Sequence, residues 1–362
     1  MKRSEISPYQ FFFIIFVSIT SLTFFSVPNQ LVSKVKQDLW LSVLLGMLID
    51  SYVAYLLYRL GLMYPGQSLI QYTNTIFGKL GRAVNLLYIL FFLGVMVTAL
   101  WIYSDFLTRT LMPDTPREVF AVTMTLCAGA AAIKGVETIA RLSQLIGVLI
   151  LLASFILFAS SIPYLHLNYM LPVFENGLMP AIKGAIYPGS WFGICIMMGM
   201  IMPHLSRPTE TFKMKVMAVA LGSFVMTLYL VYCIMVMGTD MASQFQHPVY
   251  VFARITQFII FERIEVLLFL SFISGSFITI SMVYYAAAQG AAQLFRTRSH
   301  KKWVYAFGAV LMFSPMLPLT YNSSLVNHYL SFWFPVVSLS IEGGLTTVLF
   351  FTAFIRIRMA RK

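Results

Sequence analysis

Long blocks of apolar residues, separated by short clusters of charge, proline, glycine and asparagine, run from one end of the chain to the other. A helix rises 1.5 Å per residue, so about 20 mostly apolar residues cross a hydrocarbon layer, and blocks of that length argue for membrane-spanning helices. Cutting at the polar clusters predicts ten spans, at residues 9–28, 39–60, 84–108, 118–133, 139–162, 183–203, 214–237, 265–290, 303–319 and 331–354. The longest polar excursions, 163–182 and 238–264, fall on the same side. Within the second, Pro248, Val249, Tyr250, Val251, Phe252, Ile255 and Phe258 to Phe261 predict an amphipathic helix against the outer face.

The pattern divides into two halves of five spans, 9–162 and 183–354, within a single membrane domain of residues 1–362. Spans one and six correspond in that division. Each ends in a hydrophobic-proline step, Val27-Pro28 and Met202-Pro203, 175 residues apart. Span one carries Ser18, Thr20, Ser21 and Thr23 in its middle, and span six carries Tyr187-Pro188-Gly189-Ser190-Trp191-Phe192-Gly193. Proline removes a backbone donor and glycine lowers helical preference, so span six is predicted to break at Pro188-Gly189, and the matching position of span one predicts a non-helical Ser21–Thr23 segment facing it across a cavity. Irregular backbone at membrane depth survives where it lines a cavity or is covered by protein. Paired interruptions in two halves therefore point to a midplane binding site in an inverted-repeat transporter fold.

Composition sharpens this picture. The chain is 59% apolar and only 10% charged, against about 25% charged in soluble proteins, which excludes an ordinary soluble enzyme, a secreted domain and a disordered chain. The net charge of +12 is not a nucleic-acid footprint, because the basic residues sit between the apolar blocks. With ten spans, 18 of the 25 lysines and arginines fall on the side of the termini and 7 on the other, so both termini are predicted to be cytoplasmic. Cys127, Cys195 and Cys233 each lie inside an apolar block without metal or disulfide spacing. The first apolar run is too long for a signal peptide and lacks a small-x-small cleavage site. No nucleophile, phosphate-loop or metalloprotease motif appears and the five histidines are scattered, so neither catalysis, a metal nor a cofactor is expected.

Three acids lie within spans. Asp50 is 11 residues from Leu39 and Glu342 is 11 from Ser331, about 16 Å into their helices, at a depth where no lysine or arginine is expected. Carboxyls there are either functional or structural and hydrogen-bonded. Asp105, near the outer end of span three, is expected to pair with Arg109 one turn on. Span eight carries a stripe of small polar residues in which Ser276 and Thr279 share a face, a pattern read as helix packing or as ligand contact. Phe91, Val95 and Thr98 line one face of span three.

Three stretches carry a resemblance: Leu171-Pro172-Val173-Phe174-Glu175-Asn176-Gly177-Leu178-Met179-Pro180, Lys134-Gly135-Val136-Glu137-Thr138-Ile139-Ala140-Arg141-Leu142 and Phe261-Glu262-Arg263-Ile264-Glu265. Over nearly its whole length the chain resembles the B subunits of spore nutrient-germinant receptors, a family similar in fold to amino acid permeases of the amino acid-polyamine-organocation superfamily. The resemblance implies an all-α polytopic protein with ten transmembrane helices, a 5+5 inverted repeat of the leucine-transporter/amino acid permease type, and broken helices one and six. It also implies the inner membrane of a bacterial endospore, a larger A subunit and a lipoprotein C subunit as partners, and a small nutrient as ligand. The implied pocket lies between spans one, three, six and eight: Ser21, Leu22, Thr23, Phe91, Val95, Thr98, Gly189, Ser190, Gly193, Ser276 and Thr279. Family members often carry Gly-x-Gly where this chain has Ser21-Leu22-Thr23, which implies a smaller or different ligand. The reading is of a germinant sensor, with an ion-coupled amino acid permease as the alternative. A proton-coupled permease of this architecture is expected to keep a basic residue within span five, where only Arg141 stands at the mouth.

Overall fold

A computed structural model describes residues 5–256, 265–314 and 322–360 of the 362. The chain starts with α1 (Pro8–Ser26), α2 (Pro28–Val35), α3 (Leu39–Met63), α4 (Leu69–Phe77), α5 (Gly81–Thr110), α6 (Arg117–Lys134) and α7 (Val136–Ser161). It continues through the short α8 (Met179–Gly184), α9 (Ile186–Phe192) and α10 (Met198–Ile201) into α11 (Thr211–Ser243), α12 (Pro248–Ile255), α13 (Glu265–Leu294) and α14 (Lys301–Phe313). The last stretch is α15 (Ser323–His328), α16 (Phe334–Leu339) and α17 (Thr346–Ala360), joined by π-type turns at Tyr329–Trp333 and Ser340–Leu345.

Among the described residues, seven helical stretches are long and apolar enough to cross a membrane: Pro8–Ser26, Pro28–Met63, Leu69–Thr110, Val136–Tyr164, Pro208–Ser243, Glu265–Leu294 and Ser324–Met359. Of the other predicted spans, 118–133 falls on α6, 183–203 on the pieces from α8 to α10, and 303–319 on α14, with 315–319 outside the described residues. The Pro8–Ser26 stretch is the most enclosed of the seven, with 78% of its apolar window buried, and α1 packs against α11, α13 and α7. Its start is fixed by a capping box: Ser7 Oγ accepts from the Gln10 N–H at 3.2 Å and Gln10 Oε1 accepts from the Ser7 N–H at 2.9 Å. Just before it, the Ile6 N–H donates to the His204 carbonyl at 2.9 Å and the Ser206 N–H donates to the Ile6 carbonyl at 3.1 Å. The beginning of the first predicted span is thereby tied to the end of the sixth.

The interruptions are displaced from their expected positions. Residues 21–23 lie in the unbroken helix α1, and the chain bends at Val27 instead. The hydroxyls satisfy themselves within the helix, Ser18 on the Ile14 carbonyl, Thr20 on Phe16 and Ser26 on Leu22, so they do not require it to open. The bend waits for Pro28, which starts α2 at a position where the missing N–H costs nothing. Pro188 and Gly189 are also helical, because Pro188 falls in the first turn of α9, where backbone donors have no intrahelical partner. The 3₁₀ stretch comes later, at Gly193–Met197.

Outside the spans, α12 forms as expected and buries Pro248, Val249, Phe252 and Ala253 against α11 and α13. Residues 258–261, assigned to the same amphipathic stretch, lie outside the described residues.

Candidate functional site

The residues singled out along the sequence are gathered in two layers of the helix core. In one, Ser21 Oγ of α1 meets Thr279 Oγ1 of α13 at 2.9 Å, and the Thr279 hydroxyl donates to the Gly275 carbonyl at 3.0 Å, so Ser21 is the donor between the two helices. This close approach needs a glycine: a Cβ on Gly275 would stand 2.7 Å from Ser21 Cβ. Ser276, fully buried on the same helix, has a hydroxyl with no partner, and so has Thr23. Ser276 lies one turn from Phe272, whose ring centroid is 3.9 Å from that of Phe25 on α1, which directs Ser276 toward the Leu22–Phe25 face. Leu22, Phe91 and Val95 are buried as well.

Thr98 donates to the Gly94 carbonyl and lies 3.2 Å from the Tyr329 hydroxyl, which sits in the first π-type turn. From Tyr329 a line of rings runs to Phe334 (6.1 Å) and on to Trp191 (4.4 Å), between Ser190 and Phe192 of α9. Ser190 caps back onto the Tyr187 carbonyl, and its own carbonyl accepts from Ser338 Oγ at 2.8 Å. Gly189 packs on Ile49 of α3. Thus α9 is gripped by α16 on one side and α3 on the other.

The second layer holds the acids and corrects one expectation. Asp50 is not without a cation: Lys215 Nζ of α11 donates to Asp50 Oδ1 at 2.7 Å and to Oδ2 at 2.6 Å, and both side chains are only 2% exposed. Lys215 therefore leaves the set of surface charges counted on the side of the termini. The sequence holds a signal for it, because Lys213 and Lys215 are two residues apart on a helix and face nearly opposite sides, so only one of them reaches the headgroup layer. Glu342, in the second π-type turn, is fully buried and neither carboxyl oxygen has a hydrogen-bond partner. A Cβ on Gly193 would overlap its carboxyl group, so glycine at the start of the 3₁₀ stretch is what admits it.

Asp105 pairs with Arg109 at 2.8 Å as expected, and also with Arg117 at 3.7 Å and Gln246 at 3.4 Å. It borders a cavity of about 30 Å³ lined also by Phe25, Ser26, Asn29, Trp101 and His247, one turn beyond the Thr98–Tyr329 pair. The His247 ring nitrogens are shut off from solvent; that burial, reinforced by the positive charge of Arg109, lowers its pKa from 6.5 to about 4. The neutral ring is the form that packs, so protons bind the unfolded chain first as pH falls. The outer layer is expected to lose about 3 kcal/mol as pH drops from about 6.5 to 4. Thermal unfolding in detergent followed against pH checks this, with His247→Gln removing that part of the acid dependence.

Among the described residues no group of three or more His, Cys, Asp or Glu is arranged to hold a metal ion. The all-helical core, a central α1 and a piecewise sixth span define a polytopic membrane protein of transporter architecture. Mhp1, a nucleobase-cation-symport-1 family transporter in a closed conformation with bromovinylhydantoin bound, is similar over 96% of this chain and 78% of its own, with a TM-score of 0.71 at 15% identity. A Na⁺-coupled sialic acid symporter in a substrate-bound outward-open state is similar over 97% of this chain and 80% of its own, with a TM-score of 0.65 at 14% identity. Both have the leucine-transporter fold.

The chain belongs to the spore germination protein family, whose profile matches residues 5–324. Spore germination protein KB of Bacillus subtilis (strain 168) is 26% identical over 91% of this chain and 88% of its own length. Spore germination protein YndE of the same organism is 25% identical over 72% and 73%. Membership places the chain among integral membrane proteins of germination, with permease-like architecture, and not among enzymes.

Proposed function

We propose that this chain is the nutrient-sensing B subunit of a spore germination receptor, acting in the inner membrane of the endospore beside an A subunit and a lipoprotein C subunit. It is read as one domain of ten spans, two inverted halves of five (9–162 and 183–354), with helices one and six interrupted and both termini on the spore-core side. The tie between Ile6 and His204–Ser206 supports the pairing of spans one and six in opposite directions. The ligand is a small molecule, an amino acid by the resemblance, held between spans one, three, six and eight. The observation that carries this reading is the Ser276 hydroxyl: fully buried and without a partner, on the helix whose Thr279 meets Ser21 of α1. Binding there biases a conformational equilibrium that the partner subunits read, by no more than the ligand's differential affinity for the two states.

The test separates ligand contact from packing. Ser276→Ala removes a polar group that the fold leaves unsatisfied, so protein abundance stays level or rises. The nutrient concentration for half-maximal germination is expected to rise about 2-fold to 13-fold, matching a lost hydrogen bond of about 0.5 to 1.5 kcal/mol. Thr279→Val, which also strands the Ser21 hydroxyl that donates to it, is expected to act in the same direction. Ser271→Ala, whose hydroxyl is spent on the Leu267 carbonyl, should do little. An unchanged dose response in Ser276→Ala spores with normal protein level removes Ser276 from the site. A germination screen of spores lacking this chain against single nutrients identifies the ligand.

The buried Asp50–Lys215 pair supports a second reading, an ion-coupled amino acid permease whose basic residue lies on span seven instead of span five. Uptake of labelled amino acid into liposomes holding the purified chain alone distinguishes it from the sensor.

A further inference from the structure

Charge counting at the Asp50–Lys215 pair leaves one acid over. Lys215 spans both oxygens of Asp50, and the same field reaches Glu342, whose two oxygens have no hydrogen-bond partner. Among the described residues, the charged groups that act on Glu342 are Asp50 of α3 and Lys215 of α11, and α5, which carries the Tyr88 phenol beside Thr346, packs against its turn. The Gly193–Met197 stretch contains no acid, lysine, arginine or histidine. On its own helix the adjacent hydroxyl is Ser338, which is committed to the Ser190 carbonyl. One cation balances one carboxylate, so the neutral acid is the form of Glu342 that this packing accommodates. A carboxylate there adds an uncompensated charge to a dry core, which is strongly unfavourable. A polar group left unpartnered in the core is already unfavourable, and packing alone does not offset it.

The position of Glu342 says what its proton does. The carboxyl is seated on Gly193, where α9 gives way to the 3₁₀ stretch, and the residue lies in a π-type turn followed by Gly343 and Gly344. Both partners in the contact are locally irregular, and such turns re-aim at low cost. We propose that Glu342 is a proton-exchange site, and that loss of its proton drives the Gly193–Met197 stretch of span six away from α16 and α17. In that step the carboxylic acid gives its proton to an entering water molecule, leaving a carboxylate and hydronium. Lys215, whose positive charge also acts on Glu342, then supplies the counter-charge. The ligand is a proton and not an alkali ion, because an alkali ion needs several oxygen ligands and, among the described residues, these two carboxyl oxygens have no hydrogen-bond partner beside them. The ring line from Trp191 through Phe334 to Tyr329 and Thr98 connects this movement to the outer layer. The inference rests on neither functional reading above, and its failure leaves the Ser276 test untouched.

The experiment uses the full chain in liposomes, titrated from acid to alkaline pH, with infrared difference spectra for the protonated carboxyl band and tryptophan fluorescence for span six. The wild-type protein is expected to lose a carboxylic acid band and change fluorescence at one midpoint. Glu342→Gln should abolish both changes, Trp191→Phe only the fluorescence change, and Asp50→Asn, which leaves Glu342 as the carboxyl that Lys215 balances, should move the midpoint toward acid. Replacing sodium and potassium by choline should leave the midpoint in place. The proposal is overturned if the wild type loses no acid band, if band and fluorescence step survive in Glu342→Gln, if the fluorescence step survives in Trp191→Phe, or if the midpoint follows sodium. Should the Gln variant fail to fold, Glu342→Asp carries the test: it retains an acid but withdraws it from Gly193, so its midpoint must move, and an unchanged midpoint overturns the assignment.

Discussion

Gly193→Ala is expected to destabilise the chain by about 3 kcal/mol or more, among the larger effects available from adding a single methyl group. The added Cβ would overlap the Glu342 carboxyl, and neither side can give way easily, since Glu342 is fully buried and Gly193 is held between α9 and the 3₁₀ stretch. Overpacking of a well-filled core costs about 1 to 3 kcal/mol and more when backbone must shift. The diagnostic is reversal. Glu342→Ala makes room for the new methyl group, so the double variant should be more stable than Gly193→Ala alone. Thermal inactivation in detergent, followed by size-exclusion chromatography, measures all three. A double variant as unstable as the sum of the singles would mean that the two residues do not meet.

Lys215→Met is expected to cost about 3 to 5 kcal/mol, because it strands the Asp50 carboxylate in a site where both side chains are only 2% exposed. Asp50→Asn together with Lys215→Met removes both charges and should recover much of that loss, since a buried ion pair contributes little net stability against uncharged residues of similar size. The same thermal assay supplies the cycle. If the double variant is no better than Lys215→Met, Lys215 is holding some other group.

The membrane architecture was legible because it depends on block length alone. Seven of the stretches that patterning marked as spans are long and apolar enough to cross a membrane, and the Asp105–Arg109 pair followed directly from i,i+4 spacing. The breaks were legible only in kind. Pro188 looked like a breaker within a run of apolar residues, yet it costs nothing in the first turn of α9, and where that turn begins depends on what α9 packs against. Ser21 and Thr23 looked like polar residues in want of a cavity. Helical geometry spends one on Thr279 and leaves the other unpartnered, a distinction invisible in a string of letters.

The sequence by itself determined that this is a polytopic helical membrane protein with candidate acids at mid-depth and its chemistry confined to small polar groups. Apolar length, charge placement and the absence of nucleophile motifs are local properties, and local properties survive in any fold the chain adopts. Tertiary structure alone decided which of those groups meet. Asp50 and Lys215 are 165 residues apart, Ser21 and Thr279 are 258 apart, and Gly193 meets Glu342 through an irregular turn in each helix. Whether a buried carboxyl is neutralised by an ammonium group or left over is set by the azimuth and depth of two packed helices. A shift of one residue along either helix turns a side chain by about 100° and would separate the pair.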